Sequence, residues 1–353
     1  MQKGERKRSV GNRYSQAGAT VRAGPLMGIP SLLRELGQDA GPILDSEGFT
    51  EEHFEDPDTE MSYLAVSRLL ANCVAATGCR HFGLLLGTRA GPSSLGVAGF
   101  MLRSAPDVGT ALRGLVQHLD LHDQGGVPTL HISGGITRFG YAIHQAGTQA
   151  TDQIYDIAIA VACNIMRALC GEQWNPNEVQ LSHRPSKDLS LYRRFFRAPL
   201  RFNAEDCAVV FSTRWLEHRI PSADALLHQH LEQEAIELHR QRKATVTSEL
   251  RALLRKSLLT GECMVADIAG KLHIHERTLN RRLREEGTSF HRELEDIRYE
   301  MSRHYLAEST MPMIRIAKAL NYADVSAFSR AFKRWAGTTP SEWRKHNLAS
   351  PEV

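Results

Sequence analysis

The chain has 353 residues, 42% of them apolar and 24% charged, with a formal net charge of +3. This length exceeds one ordinary domain, and the balance suits a folded chain with a real core, which excludes a disordered, collagenous or membrane-embedded protein. The charge is uneven: Met1–Gly24 carries six Lys/Arg against one Asp/Glu, and the segment from Ser248 onward 18 against 14, so the long middle is acidic and the C-terminal part is the place to look for a nucleic-acid contact.

Taken in order, residues 1–25 are rich in Gly, Ser and Arg and lack the apolar stretch of a secretory signal, so they read as a disordered basic tail. The first segment with the pattern of a folded element begins at Met27. Ile29–Leu36 and Phe49–Phe54 read as short helices. Thr59 is placed to cap a longer helix through Ala76 whose apolar face is Tyr63, Val66, Leu69, Leu70 and Val74. His81–Leu86 is a short apolar helix, and Asp107, after Pro106, caps a helix to about Leu121.

Thr129–Ser133 and Arg138–His144 alternate polar and apolar residues about Gly134-Gly135, which predicts a β-hairpin. Asp152–Gly171 reads as a long helix with Ile154, Ile157, Ala158, Val161, Ile165 and Leu169 inward. Val179–His183, Leu200–Phe202 and Ala208–Phe211 read as strands, Leu189–Phe196 as a helix. The middle is thus α+β with a small sheet. Leu226–Arg242 is a charged amphipathic helix, a connector or a dimer seam.

The C-terminal part carries the informative pattern. Val265, Ile268, Ala269 and Leu272 form one helical stripe, Ile274 marks a turn, and Leu279 and Leu283 are the buried stripe of a second helix. That second helix leaves Arg277, Thr278, Asn280, Arg281 and Arg284 outward. Arg pairs bidentately with guanine and Asn with adenine, so this face suits a major groove. The pattern recurs: Ile314, Ala317 and Leu320, then Tyr322, then Phe328 and Phe332, with Val325, Ser326, Ser329, Arg330, Lys333 and Arg334 around them. Ala269 to Ala317 spans 48 residues and Arg281 to Arg330 spans 49, and a repeat of this length is far more specific than either copy. Between the copies, Phe290, Leu294, Ile297, Met301 and Tyr305 predict one helix. Thr339, Pro340 and Glu342 form a helix start with its cap.

This tail, from about Val265 to His346, resembles the DNA-binding domain of the AraC/XylS family of transcription regulators. The resemblance includes the closing signature Ile316-Ala317, Ala327 through Arg334, Gly337 and Pro340 through Arg344. It implies two helix-turn-helix units joined by a rigid helix and entering successive major grooves. The sequence departs from the family at the turn glycines, here His273 and Asn321, and at the serine caps of the recognition helices, here His275 and Ala323; Asp324 is placed to cap the second helix one residue late. The middle, from about Met27 to Ile220, also resembles the N-terminal effector or oligomerisation domain of the ornithine- and virulence-regulator subgroup. It does so through DSEGFTEEHFEDPD, HFGLLLG and Gly96–Phe100.

Rival chemistry is thin. His118 and His122 in HLDLHD have the spacing of helical metal ligands, but no third ligand is recognisable, and a polar helix end is the simpler reading. There is no nucleophile elbow, phosphate-binding glycine loop or zincin motif. The six cysteines, Cys73, Cys79, Cys163, Cys170, Cys207 and Cys263, show no CxxC spacing and read as reduced thiols of a cytoplasmic protein. No apolar run approaches the length of a membrane span.

The expectation is therefore a tail over 1–25, an α+β effector-binding or oligomerisation domain over 26–222, a linker helix over 223–246 and an all-α domain of two helix-turn-helix units joined by a long helix over 247–347. The base readers are Arg277, Asn280 and Arg281 in the first unit and Val325, Ser326, Ser329 and Arg330 in the second. Thr278, Arg284, Lys333, Arg334 and Thr339 are placed for phosphates, which position without reading sequence. No catalytic residue, metal or cofactor is expected. The expected partners are double-stranded promoter DNA, an unidentified small-molecule effector, RNA polymerase and a second copy of the chain, with no membrane. The alternatives are a ligand-independent regulator whose N-terminal domain only oligomerises and an enzyme with a basic helical appendage.

Overall fold

A computed structural model describes residues 19–145, 147–186, 188–241, 246–260, 264–272, 274–308 and 311–348. In chain order its N-terminal elements are β1 (Thr20–Arg22), α1 (Ile29–Glu35), α2 (Ala40–Asp45), β2 (Glu60–Ser62), α3 (Tyr63–Thr77), α4 (Phe82–Arg89), α5 (Val97–Ser104), α6 (Val108–His118), β3 (Gly126–Ser133), β4 (Ile136–Ile143), α7 (Thr151–Cys170), β5 (Glu178–Gln180), α8 (Ser190–Phe196), β6 (Leu200–Arg201) and β7 (Cys207–Ser212). The remainder is helical: α9 (Ala225–Gln241), α10 (Val246–Thr260), α11 (Val265–Lys271), α12 (Glu276–Glu285), α13 (Phe290–Glu308), α14 (Met313–Ala319), α15 (Val325–Ala336) and α16 (Pro340–Leu348).

The predicted hairpin is present. β3 and β4 pair antiparallel from Gly126↔Ile143 to Ser133↔Ile136, and Gly134 and Gly135 both take positive φ, as a two-residue turn matching the strand twist requires. The hairpin extends through β7 and β5 to β6 in the order β3-β4-β7-β5-β6, antiparallel except for the β5–β6 pair. α7 packs on this sheet and is crossed by α4. The crossing is close: a Cβ on Gly83 would lie 2.2 Å from the Gln153 carbonyl, and one on Gly87 2.7 Å from the Ala160 Cβ. α7 is, contrary to the sequence expectation, long and apolar enough by length and composition to cross a membrane, but 61% of its apolar window is buried inside the fold. Cys163 and Cys170 lie along it, and burial raises their thiols to about 11 and about 12, which keeps them protonated and inert.

Three expectations need correction in this half. Thr20–Arg22, assigned to a disordered tail, pairs as β1 with β2, and Arg22 meets Asp58 at 2.6 Å. A three-residue edge strand carries too little alternation to be seen in sequence. Ser62 rather than Thr59 caps α3, because residues 60–62 are used by that strand pair. Phe49–Phe54 is not an α-helix but a single 3-10 turn over Glu51–Phe54. Asp107 caps α6 as expected, accepting from the Thr110 N–H at 2.7 Å.

α9 is docked rather than solvated. Its Leu231 and Ala235 are buried with Met101 of α5 and Leu121, and His228 Nδ1 lies 3.1 Å from the Ser104 hydroxyl. Leu226, Leu227 and Ile236 on its other faces remain exposed.

Candidate nucleic-acid interface and effector cavity

The C-terminal helices share one core, distinct from that of the N-terminal domain: Leu250, Leu254 and Leu258 of α10, Ile268 and Ala269 of α11, Leu279 and Leu283 of α12, Leu294, Ile297 and Met301 of α13, Ile316 and Ala317 of α14, and Phe328 and Phe332 of α15. α10 is the element the sequence reading left unassigned. Its leucines recur every four residues, the spacing of one helical face. Two copies of helix, turn and helix are present, α11–α12 and α14–α15.

The two recognition helices start differently. α12 has no side-chain hydrogen bond at its cap His275, a deficit of about 0.5–2 kcal/mol against a good cap. α15 has Asp324, whose Oδ1 accepts from the Ala327 N–H at 2.7 Å, one residue after the family's usual position. Asn321 takes the positive φ expected of it, 55°, where a side chain other than Asn, Asp or Gly is strained. His273, the corresponding position of the first unit, lies outside the described residues. Gly337, with φ 76°, ends α15, and Thr339 with Glu342 forms a reciprocal cap at the start of α16.

With Leu279 and Leu283 buried, α12 turns Arg277, Arg281 and Arg284 to solvent, with Thr278 and Asn280 half-buried at the edge of that face. Arg281 is 68% exposed and reaches Glu285 only at 3.9 Å; Arg284 donates to the Asn280 carbonyl at 3.1 Å. In α15, Ser326, Arg330 and Lys333 are exposed, and Val325 and Ser329 are half-buried. Asp324 and Glu342, the acids nearest Arg330 in sequence, are occupied as caps, and Arg277, Arg330 and Lys333 hold no ion pair among the described residues. Two of the expected phosphate contacts are engaged internally. Arg334 pairs with Glu295 of α13, and the Thr339 hydroxyl is 2.8 Å from Glu342.

α13 ties the two units together from its two sides. Toward the first unit, Glu293 and Glu300 receive Arg251 and Arg255 of α10, with Arg251–Glu293 at 2.6 Å and Arg255–Glu300 at 3.0 Å. Toward the second, the Arg298 guanidinium stacks over the Tyr322 ring at 4.8 Å and donates to the Asn321 carbonyl at 3.3 Å. The sequence reading placed α13 correctly but missed these bridges, since each pairs residues 23 to 49 positions apart.

The N-terminal domain holds a cavity of about 100 Å³. Its walls are apolar, from Val66 and Leu70 of α3, Leu115 and Leu119, Phe139 of β4, and Ile157, Val161 and Ile165 of α7. Polar groups gather on the lining as Tyr63, Tyr141, His122 and Asp123. Tyr141 donates to Asp123 Oδ2 at 2.5 Å, the Gly125 N–H donates to Oδ1 at 2.8 Å, and the two phenols are 3.3 Å apart. The pair Gly125-Gly126 makes room for this: a Cβ on either would lie 2.1 Å from the Tyr63 ring or the Tyr141 hydroxyl. Burial raises the Asp123 carboxyl to about 6 and lowers the His122 imidazole to about 3, the latter also through nearby Arg22. His122 Nδ1 is buried without a hydrogen-bond partner. The two histidines of HLDLHD therefore diverge, since His118 instead faces His239 of α9, with Nδ1 3.4 Å from Nε2.

Comparison with known proteins decides the family. The family model for the arabinose-binding N-terminal domain of AraC transcription regulators matches residues 37–220, just over half the chain, and a helix-turn-helix model matches residues 268–346. The chain belongs to the AraC family of transcription regulators. This AraC-family chain is 29% identical over 345 residues to the HTH-type transcriptional regulator VirS of Mycobacterium tuberculosis, covering 95% of this chain and 99% of that one. It is 25% identical over 326 residues to the ornithine utilization regulator of Pseudomonas aeruginosa, covering 89% and 93%. Among solved structures, the transcriptional regulator CdpR of Pseudomonas aeruginosa aligns over 88% of this chain and 97% of its own at 23% identity, with a TM-score of 0.43. The AraC-family architecture, a mixed α/β N-terminal domain followed by a helical DNA-binding domain, agrees with the fold class and the regulatory role expected from sequence.

Proposed function

We propose that this regulator reads promoter DNA in two successive major grooves, with Arg277, Asn280 and Arg281 touching base edges in the first and Val325, Ser326, Ser329 and Arg330 in the second. The observation that carries the reading is the pair of recognition helices whose apolar backs are buried in one core while their Arg, Asn and Ser fronts stay open. Thr278, Arg284 and Lys333 flank those fronts and hold phosphates; Arg334 and Thr339 join them only by leaving Glu295 and Glu342. The chain acts by binding rather than catalysis, in the cytoplasm, where promoter DNA lies.

The N-terminal domain is an effector domain, so operator binding changes with occupancy of its cavity. A partly apolar cavity with an unpartnered buried imidazole favours this over a domain that only oligomerises. A second copy and RNA polymerase are the protein partners of this reading. Selection of bound sequences from random duplexes tests it. Enrichment of two motifs about one helical turn, roughly 10 bp, apart is expected, and recovery of unselected sequence would remove the base-reading assignment.

A further inference from the structure

From the cavity lining, and resting on the effector reading above, we infer that the cavity takes a small uncharged molecule: a short apolar chain or ring carrying one hydroxyl, which pairs with His122 and the Tyr63 phenol. Three features limit the ligand. The first is size. A cavity of about 100 Å³ is smaller than the roughly 150 Å³ that admits benzene in a hydrophobic core, so the ligand has at most about six heavy atoms. The second is the wall. Leucine, isoleucine, valine and phenylalanine side chains from α3, β4 and α7 leave most of the ligand surface to apolar contact.

The third is charge. The lining holds no Lys or Arg, and its one ionisable acid is the buried Asp123 carboxyl. A carboxylate ligand would be desolvated beside a like charge, and the nearest cation, Arg22, lies outside the lining and is paired with Asp58. An ammonium drawn to Asp123 would have to be desolvated in an otherwise apolar cavity and share carboxylate oxygens that already accept from Tyr141 and the Gly125 N–H. The polar group left wanting is His122, only 5% exposed and unpartnered at Nδ1. Its neutral imidazole suits a group that can both give and take a hydrogen bond, which a hydroxyl does.

The test uses the full chain and a matched series at pH 7, namely 1-pentanol, pentanoate and pentylamine, read by titration calorimetry and by the shift of the melting temperature. Pentanol is expected to bind at least tenfold more tightly than either charged analogue. Along ethanol, propanol, butanol and pentanol the dissociation constant is expected to fall about fourfold per methylene and then to stop falling at longer chains. A preference for pentanoate or pentylamine, no binding by any of the three, or a rise in affinity unbroken through 1-octanol would each overturn the assignment. His122→Phe is expected to lower pentanol affinity at least fivefold, with its own melting curve reporting whether it folds; the ligand series on the unaltered chain decides the matter if it does not. The same compounds are added to binding reactions with a selected duplex. Pentanol binding without a change in duplex affinity supports the cavity assignment and removes the effector reading. Duplex affinity that answers to pentanoate or pentylamine but not to pentanol removes the assignment and keeps that reading.

Discussion

Arg281 and Lys333 both offer a positive charge to solvent, yet their removal is expected to have different consequences. Arg281→Ala deletes a fork able to grip guanine, so it should cost about 1–3 kcal/mol on the best operator, relax preference at one position, and cost little on random DNA. Lys333→Ala should weaken all duplexes alike and reduce the salt slope by about one phosphate contact. Titrations of both variants against selected and scrambled duplexes at several salt concentrations separate these roles; equal losses on both duplexes for Arg281→Ala would make it a phosphate contact. In the other domain His122 and Asp123 pull stability in opposite directions. The imidazole is lowered from 6.5 to about 3, so its contribution is present above pH 6.5 and lost as pH falls toward 3. The Asp123 carboxyl is raised from 3.8 to about 6, so its contribution is full below pH 3.8 and lost as pH rises through 6. Between about pH 4 and 6 the two slopes oppose each other. Asp123→Asn leaves the histidine alone, and its melting temperature is expected to drop more steeply than the parent's between pH 6.5 and 4.5. Parallel curves would show that the carboxyl does not titrate in this window.

At the scale of elements, α13 braces both helix-turn-helix units, because Glu293 and Glu300 hold one and Arg298 the other. Arg298→Ala removes a stacked guanidinium and its bond to the Asn321 carbonyl. Affinity for a duplex with both half-sites is expected to fall toward that for one half-site, while affinity for a single half-site stays unchanged. Inserting 5 bp between half-sites should be severe for the parent and mild for the variant. Much of this arrangement was legible beforehand. The stripe from Phe290 to Tyr305 gives α13, and the 48-residue repeat gives the two units on either side of it. The cross-braces were not legible, since a Glu on a helix surface looks the same whether an Arg 49 positions away meets it or water does. α9 shows the same limit. Its apolar spacing fits a dimer seam and a docked helix equally, and only Met101 and Leu121, contributed by distant elements, distinguish the two.

At the scale of the whole molecule, the N-terminal and C-terminal cores share no residue among those described. Cores of this kind unfold as separate cooperative units. Scanning calorimetry of the full chain is expected to show two transitions, and residues 245–353 alone should fold and melt near one of them. That fragment is also expected to bind duplex DNA with a log–log salt slope of about −0.9 per phosphate engaged; a flat dependence would remove the phosphate contacts. The cavity lies wholly within the first core, so its occupants should move one transition and leave the other in place. Sequence could not announce that cavity. Tyr63, His122 and Tyr141 come from three separate stretches, and in sequence each looks like an ordinary core aromatic or a polar helix end.

The braces on α13 bear on the duplex as well as on the protein. If both units engage one duplex, helices fixed to one strut cannot swivel to follow it, and any mismatch between their spacing and the groove repeat would be taken up by the DNA. Curving a site of 20–30 bp costs about 1–6 kcal/mol, by an amount that depends on which steps are flexed. Base pairs lying between the half-sites, out of reach of any side chain, would thereby acquire a say in affinity. Exchanging a flexible TA step there for a stiff A-tract is expected to weaken binding with every contact to the half-sites kept, and the loss should shrink in Arg298→Ala, where the strut no longer enforces the curve.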